Sequence, residues 1–142
     1  MQQFKSQSPP GGRIINNGSL AAHVPRPYAA AYAISKHAVL GLTRCTSLEG
    51  RRFGIAATQI DVGEYRTEVS GERIRVRGTQ DLLRSLGNAL TDIVAPATSA
   101  GVRQSDGSLR KEATINAKHV ASSIVHIAEL PLDVTVLEMN IM

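Results

Sequence analysis

Residues 11–63 read GGRIINNGSLAAHVPRPYAAAYAISKHAVLGLTRCTSLEGRRFGIAATQIDVG, and the fold turns on how this run divides. Arg13-Ile14-Ile15-Asn16-Asn17 is short and apolar at its centre. The turn-forming clusters Pro9-Pro10-Gly11-Gly12 and Asn17-Gly18 bracket it, so it reads as a short buried strand. Gly18 suits a sharp exit, because glycine takes a positive φ without steric cost. A proline-rich loop, His23-Val24-Pro25-Arg26-Pro27, follows. From Tyr28 to Arg52 the chain reads as one long helix, in which the alanines, Ile34, Ala38, Leu42 and Leu48 supply an apolar stripe near the 3.6-residue period. Gly54 ends that helix. Ile55 to Ile60 is a second short buried strand, closed by Asp61-Val62-Gly63.

Farther along, Glu64 to about Arg110 is glycine-rich and weakly periodic, with one helix-like piece from Asp81 to Ile93. Val120, Ile124, Val125 and Ile127 restore a helix over Ala117 to Glu129. Asn116 is placed to cap its entry and Pro131 to stop it. Val134 to Met139 reads as a third strand. Strand, long helix, strand, variable segment, helix, strand is a βαβ alternation, and such crossovers build a parallel sheet covered by helices. The expected fold class is therefore α/β, a partial Rossmann-like parallel sheet of about three strands, in a single domain over residues 1–142.

With 142 residues, 42% of them apolar, the chain suffices for one core; a domain of this size buries roughly 70% of its unfolded surface. An aromatic share of 4% without tryptophan leaves that core to Ala, Val, Ile and Leu. The net charge of +4 is dispersed. Its densest basic stretch, GERIRVRG, alternates Arg73, Arg75 and Arg77 with Ile74 and Val76, which reads as a short strand with one solvated face. It lacks aromatic residues to stack bases, so no nucleic-acid partner is expected. No apolar run reaches the roughly 18 residues of a membrane span, and MQQFKSQSPP lacks the apolar centre of a secretory signal, so no membrane association is expected. The lone Cys45 cannot form an internal disulfide and falls in an apolar helical pattern, where a buried inert thiol is expected; a reducing, cytoplasmic setting fits. His23, His37, His119 and His126 show no metal-ligand spacing and read as surface or helix-packing residues.

In a parallel α/β sheet, ligands gather at the carboxyl ends of the strands. Ser19 follows one such end. Tyr32 and Lys36 lie four positions apart on the long helix and so share a face. A phenol with a pKa near 10 transfers protons poorly at neutral pH, and an adjacent ammonium lowers that value by stabilising the phenolate. Such a tyrosine can exchange a proton with an alcohol or carbonyl oxygen, while a serine hydroxyl donates to the same oxygen as charge develops on it. The trio suits carbonyl reduction or alcohol oxidation, given a hydride carrier. Tyr-x-x-x-Lys alone occurs in many helices for structural reasons; Ser19, thirteen positions upstream at a strand end, makes the combination specific. Serine hydrolase chemistry through Ser19 or Ser35 with Lys36 is disfavoured, because there is no Gly-x-Ser-x-Gly elbow.

The segment GGRIINNGSLAAHVPRPYAAAYAISKHAVLGLTRCTSLEG resembles the short-chain dehydrogenases and reductases, from their fifth strand through their catalytic helix. The resemblance implies that Ser19 polarises the substrate oxygen and that Tyr32 is the general acid or base. It also implies that Lys36 lowers the tyrosine pKa and holds the ribose of NAD or NADP. The family's later strand ends in a Pro-Gly turn followed by a threonine that contacts the carboxamide. Val62-Gly63 stands at that turn here, and either Thr67 or Thr91 fits the threonine. GNALTDIVAPATSAG, which contains Thr91, looks more like the family's continuation, so 64–87 is expected to be an insertion. A small-molecule alcohol or carbonyl compound is the implied substrate class.

Family members also carry Thr-Gly-x-x-x-Gly-x-Gly, whose backbone approaches the cofactor pyrophosphate at a helix N-terminus. That spacing does not occur among the glycines of this sequence, nor does a counterpart of the family's catalytic asparagine. MQQFKSQSPP looks like the tail of the helix before the serine strand. Two expectations follow. The chain is a truncated oxidoreductase of this family, or it is a non-catalytic fragment that pairs with a full-length relative. Pairing with a relative would run through the long helix or an exposed sheet edge, and the long helix also offers a surface for a homo-oligomer.

Overall fold

The computed structural model describes residues 1–63, 65–66, 101–110 and 115–142. A short helix α1 (Gln2–Ser6) leads into strand β1 (Gly12–Asn17), and a single 3-10 turn (Leu20–Ala22) precedes the long helix α2 (Ala30–Gly50). Strand β2 (Ile55–Val62) follows, then the two-residue strands β3 (Tyr65–Arg66), β4 (Val102–Arg103), β5 (Leu109–Arg110) and β6 (Ile115–Asn116), helix α3 (Ala117–Glu129) and strand β7 (Glu138–Ile141). The main sheet has the order β1-β2-β7 and is parallel throughout. β3 pairs with β6, and β4 with β5, as separate two-stranded pieces. The expected three-stranded α/β sheet with covering helices is the observed one. Among the described residues no helix is long and apolar enough to cross a membrane.

β2 is the centre of the molecule, and all eight of its residues are buried. A parallel strand covered on both faces cannot alternate apolar and polar in the manner of a half-exposed strand. On one face Ile60 and Val62 pack with Val120, Ile124 and Ile127 of α3, joined by Ile15, Met139 and Ile141. Each aliphatic side chain so buried contributes about 1.5–3 kcal/mol. Asn116 caps α3 as expected, its side-chain oxygen accepting from the Lys118 N–H at 2.8 Å. At the other end of α3 the Arg13 guanidinium of β1 donates through Nη2 to the carbonyls of Leu130, Pro131 and Val134. That cation gathers the C-cap carbonyl of Leu130 and two carbonyls of the segment leaving the helix, and so ties the edge strand to it.

The opposite face of β2 is polar, and this explains where the long helix departs from expectation. α2 buries Leu40, Thr43, Thr46 and Gly50, whereas Ile34, Leu42 and Leu48 are 70%, 60% and 72% exposed. Thr43 donates to the Val39 carbonyl at 2.8 Å, accepts from Asn16 Nδ2 at 2.8 Å and lies against Gln59. The Thr43 hydroxyl matches Gln59 beneath it, and the apolar stripe is turned outward. Cys45 goes with it and is exposed, not buried.

The third strand also begins later than expected, at Glu138 instead of Val134. After Pro131 the chain turns through the Val134 N–H to Pro131 carbonyl bond, and Arg13 engages the Val134 carbonyl, so this β-branched stretch starts outside the ladder. Of the proposed insertion 64–87 only Tyr65 and Arg66 are described; the helix over 81–93, the arginine-rich strand and both candidate threonines, Thr67 and Thr91, lie outside the described residues.

Candidate active site

The parallel register places Asn17 of β1 beside Ile60 of β2, so the segments leaving both strands emerge together. The Gly18 N–H continues the ladder to the Ile60 carbonyl at 2.8 Å. Gly18 is required here for a reason different from backbone freedom. A Cβ on it would fall 1.9 Å from Asp61 Oδ1 and 2.7 Å from Gln59 Nε2, so a larger residue would displace the buried polar side chains of β2. Positive φ is instead needed at Gly54, with φ of +66°, where the chain leaves the turn Arg51–Phe53 for β2.

Ser19 follows directly, is buried, and caps the turn Leu20–Ala22 by accepting from the Ala21 N–H at 3.2 Å. Its hydroxyl proton remains a donor in that arrangement, because a hydroxyl has one proton and two lone pairs. Leu20 then packs toward Gly63: a Cβ on Gly63 would meet Leu20 Cδ1 at 3.2 Å. Ser19 and the Val62-Gly63 turn therefore lie side by side at the carboxyl edge of the sheet. The Gly63 N–H donates to the Ile141 carbonyl at 2.9 Å, which fastens the turn to β7.

α2 returns to this edge. Lys36 Nζ donates to the Asn17 carbonyl at 3.2 Å and lies 5.6 Å from the centroid of the Tyr32 ring. Half-burial pushes the Lys36 ammonium below its ordinary pKa, while the Asp61 carboxylate draws it partly back. The lysine is thus held at the end of the serine strand, one helical turn from the tyrosine. Ser35 faces away from this chemistry and donates to the Tyr32 carbonyl at 2.7 Å. Of the residues singled out in the sequence, Ser19, Tyr32, Lys36, Val62 and Gly63 all sit on the elements that meet at this edge.

Sequence reasoning missed one cluster beneath it. His23, four residues after Ser19, brings Nε2 to 3.0 Å from Asp61 Oδ2 and 3.2 Å from Glu138 Oε1. Asp61 is fully buried and its Oδ1 accepts from Gln59 Nε2 at 2.7 Å. The three belong to the loop after β1, to β2 and to β7. Only the parallel register, which sets Glu138 at the start of β7 beside Gln59 and so near Asp61, could have shown that they meet.

Residues 1–77 match the family described as short chain dehydrogenase. Over 61 residues the chain is 43% identical to an uncharacterized oxidoreductase, YohF, of Escherichia coli, a match covering 43% of this chain and 24% of that protein. It is 44% identical over 59 residues to an A-factor type gamma-butyrolactone 1'-reductase of Streptomyces virginiae, covering 42% of this chain and 23% of the reductase. In three dimensions it is similar to the closed form of a serine dehydrogenase complexed with NADP+. The TM-score is 0.60 at 16% identity, over 92% of this chain and 44% of that one, a likeness of fold. The matched regions thus span about a quarter of the curated relatives' length and under half of the solved structure. With the family match running over more than half its length, from α1 through β2 and beyond, this chain belongs to the short-chain dehydrogenases.

Proposed function

We propose that the chain carries the acid-base centre of an NAD(P)-dependent oxidoreductase acting on a small alcohol or the corresponding ketone or aldehyde. The observation that carries this reading is Lys36, fixed on the Asn17 carbonyl and 5.6 Å from the Tyr32 ring at the carboxyl edge of a parallel sheet. In carbonyl reduction the Tyr32 hydroxyl gives its proton to the substrate oxygen; in oxidation the phenolate takes it back. The ammonium of Lys36 favours the phenolate electrostatically. Ser19 donates to the same oxygen and orients it. A nicotinamide would supply or accept the hydride.

The side chains present suit one end of such a cofactor. Lys36 and Tyr32 would hold the nicotinamide ribose, with Val62 and Gly63 beside the ring and Thr91 or Thr67 as the carboxamide contact. The Thr-Gly-x-x-x-Gly-x-Gly spacing that would meet the pyrophosphate does not occur among the glycines of these 142 residues. Fluorescence titration with NADH and NADPH tests the reading: binding of either one supports it. Replacing Tyr32 by Phe should then lower turnover by about 10²–10⁴-fold while leaving cofactor affinity nearly unchanged, the loss expected for removing a positioned proton donor. Unaltered turnover would remove the tyrosine from the mechanism.

The exposed Ile34, Leu42 and Leu48 of α2 favour a second reading, in which the chain acts by pairing with a full-length relative or with itself. The outward apolar stripe of α2 supports pairing, and failure to bind either nucleotide would favour this reading over the first. A cytoplasmic setting is part of both readings, supported by the single, unpaired Cys45.

A further inference from the structure

We propose that His23, Asp61 and Glu138 form a binding site for a divalent transition metal of the zinc class, separate from the acid-base pair on α2. Their three ligand atoms lie within 4.8 Å of one another. Two ligands at zinc bonding distance and a tetrahedral angle sit about 3.4 Å apart. The Nε2 to Oδ2 and Nε2 to Oε1 separations of 3.0 and 3.2 Å need to widen by only a few tenths of an ångström to admit the ion. One imidazole nitrogen and two carboxylate oxygens make a donor set suited to Zn²⁺ or Co²⁺ and poorly suited to Mg²⁺ or Ca²⁺, which favour oxygen alone.

Charge and hydrogen bonding point the same way. His23 Nε2 carries at most one proton, yet it faces two carboxylates, so without a cation one of these contacts is poorly paired. Asp61 is fully buried, where an incompletely paired carboxylate is costly, and the nearby Lys36 ammonium, itself bonded to the Asn17 carbonyl, offsets only part of that charge. Each carboxylate is held by its other oxygen: Gln59 Nε2 donates to Asp61 Oδ1 at 2.7 Å, and Arg44 Nη2 to Glu138 Oε2 at 3.4 Å. Such outer contacts aim the remaining oxygens inward, as they do around bound metals. Gln59 is itself fully buried and packed on Thr43. The His23 and Glu138 side chains remain 30% and 24% exposed, so an ion can enter and keep a water in the fourth position. Bound there, it would clamp the loop after Ser19 to β2 and β7.

Chelator-treated protein titrated with Co²⁺ and Zn²⁺ tests this without any enzymatic assay. Expected are one ion per chain, the visible absorption of four- or five-coordinate cobalt, displacement by Zn²⁺ but not by Mg²⁺, and a higher melting temperature with metal. His23→Ala should abolish the cobalt spectrum. Glu138→Gln should weaken binding by at least about tenfold, the lower end of what outer-contact losses cost elsewhere. Both positions are solvent-reachable, so circular dichroism should report an intact fold; buried Asp61 is left unchanged because its replacement endangers folding. His119→Ala, on the outer face of α3, should bind as the parent does. No binding by the parent, or binding that survives His23→Ala, overturns the proposal and leaves His23 as a proton-mediated bridge between two acids.

Discussion

Among single residues, Lys36 and the three members of the His23 cluster differ sharply in how far the sequence reveals them. Tyr32 and Lys36 are legible because helical periodicity alone puts them on one face. Ser19 is legible because a glycine and a strand end mark it. His23, Asp61 and Glu138 come from three separate elements, and no local pattern connects them. Gly18 reads in the sequence as a residue free to take a positive φ, whereas the positive-φ glycines of the structure do not include it and its need for glycine is the space taken by Asp61 and Gln59, which only the packed sheet reveals. Lys36 also yields a pH dependence. Burial lowers its folded-state pKa from the ordinary 10.5, with Asp61 partly opposing. Below the folded value the lysine is charged in both states and the whole desolvation cost is present. Between the folded value and 10.5 the unfolded chain holds more protons, so this residue's contribution to stability rises with pH. Above 10.5 the cost is gone. Replacing Lys36 by Met should therefore alter urea-unfolding stability most favourably near neutral pH, and this difference from the parent should shift toward the parent's favour as pH climbs to 10.5. A difference independent of pH would show that Lys36 ionises in the folded chain as it does in water.

Elements differ in how far the sequence reveals them, and the physical reason lies in what covers each one. α3 was found with its limits and its cap, because its buried residues are aliphatic and face an aliphatic side of β2. β1 and β2 were found because flanking glycines end them. α2 was found as a helix but with its apolar stripe facing outward, since a buried helix face need not be the most apolar one when the strand below presents glutamine and aspartate. β7 was displaced because Val134-Thr135-Val136 has strand composition while its start is engaged by Arg13 and a proline turn. The α3 face provides a direct measure of element stability. Ile127 is completely buried and touches the side chains of the central strand. Ile127→Ala should destabilise the chain by about 2–5 kcal/mol, the range for removing aliphatic volume from a packed interior. Guanidinium unfolding monitored by circular dichroism checks it; a loss under about 1 kcal/mol would mean that α3 does not hold the sheet in solution.

At the scale of the whole molecule, β1 and β7 are the two edges of the three-stranded sheet among the described residues, and α2 presents Ile34, Leu42 and Leu48 to solvent. Ala38 and Cys45 are exposed along the same helix, and a shallow apolar depression lined by Ala21, Ala22, Pro25, Ala33 and His37 adjoins its first turns. A strip of large aliphatic side chains at helical spacing, facing water, is the kind of surface that soluble chains cover by association. Open strand edges add backbone donors and acceptors for pairing. The two routes predict different consequences. If the proposed self-association runs through α2, the double substitution Leu42→Lys and Leu48→Lys should convert the chain to a monomer by sedimentation velocity. The melting temperature of that monomer should change little, because both side chains are already exposed and neither contributes to the core. If association instead runs along the β1 edge, the lysine pair should leave the assembly intact, since those side chains lie on the far side of α2 from the sheet.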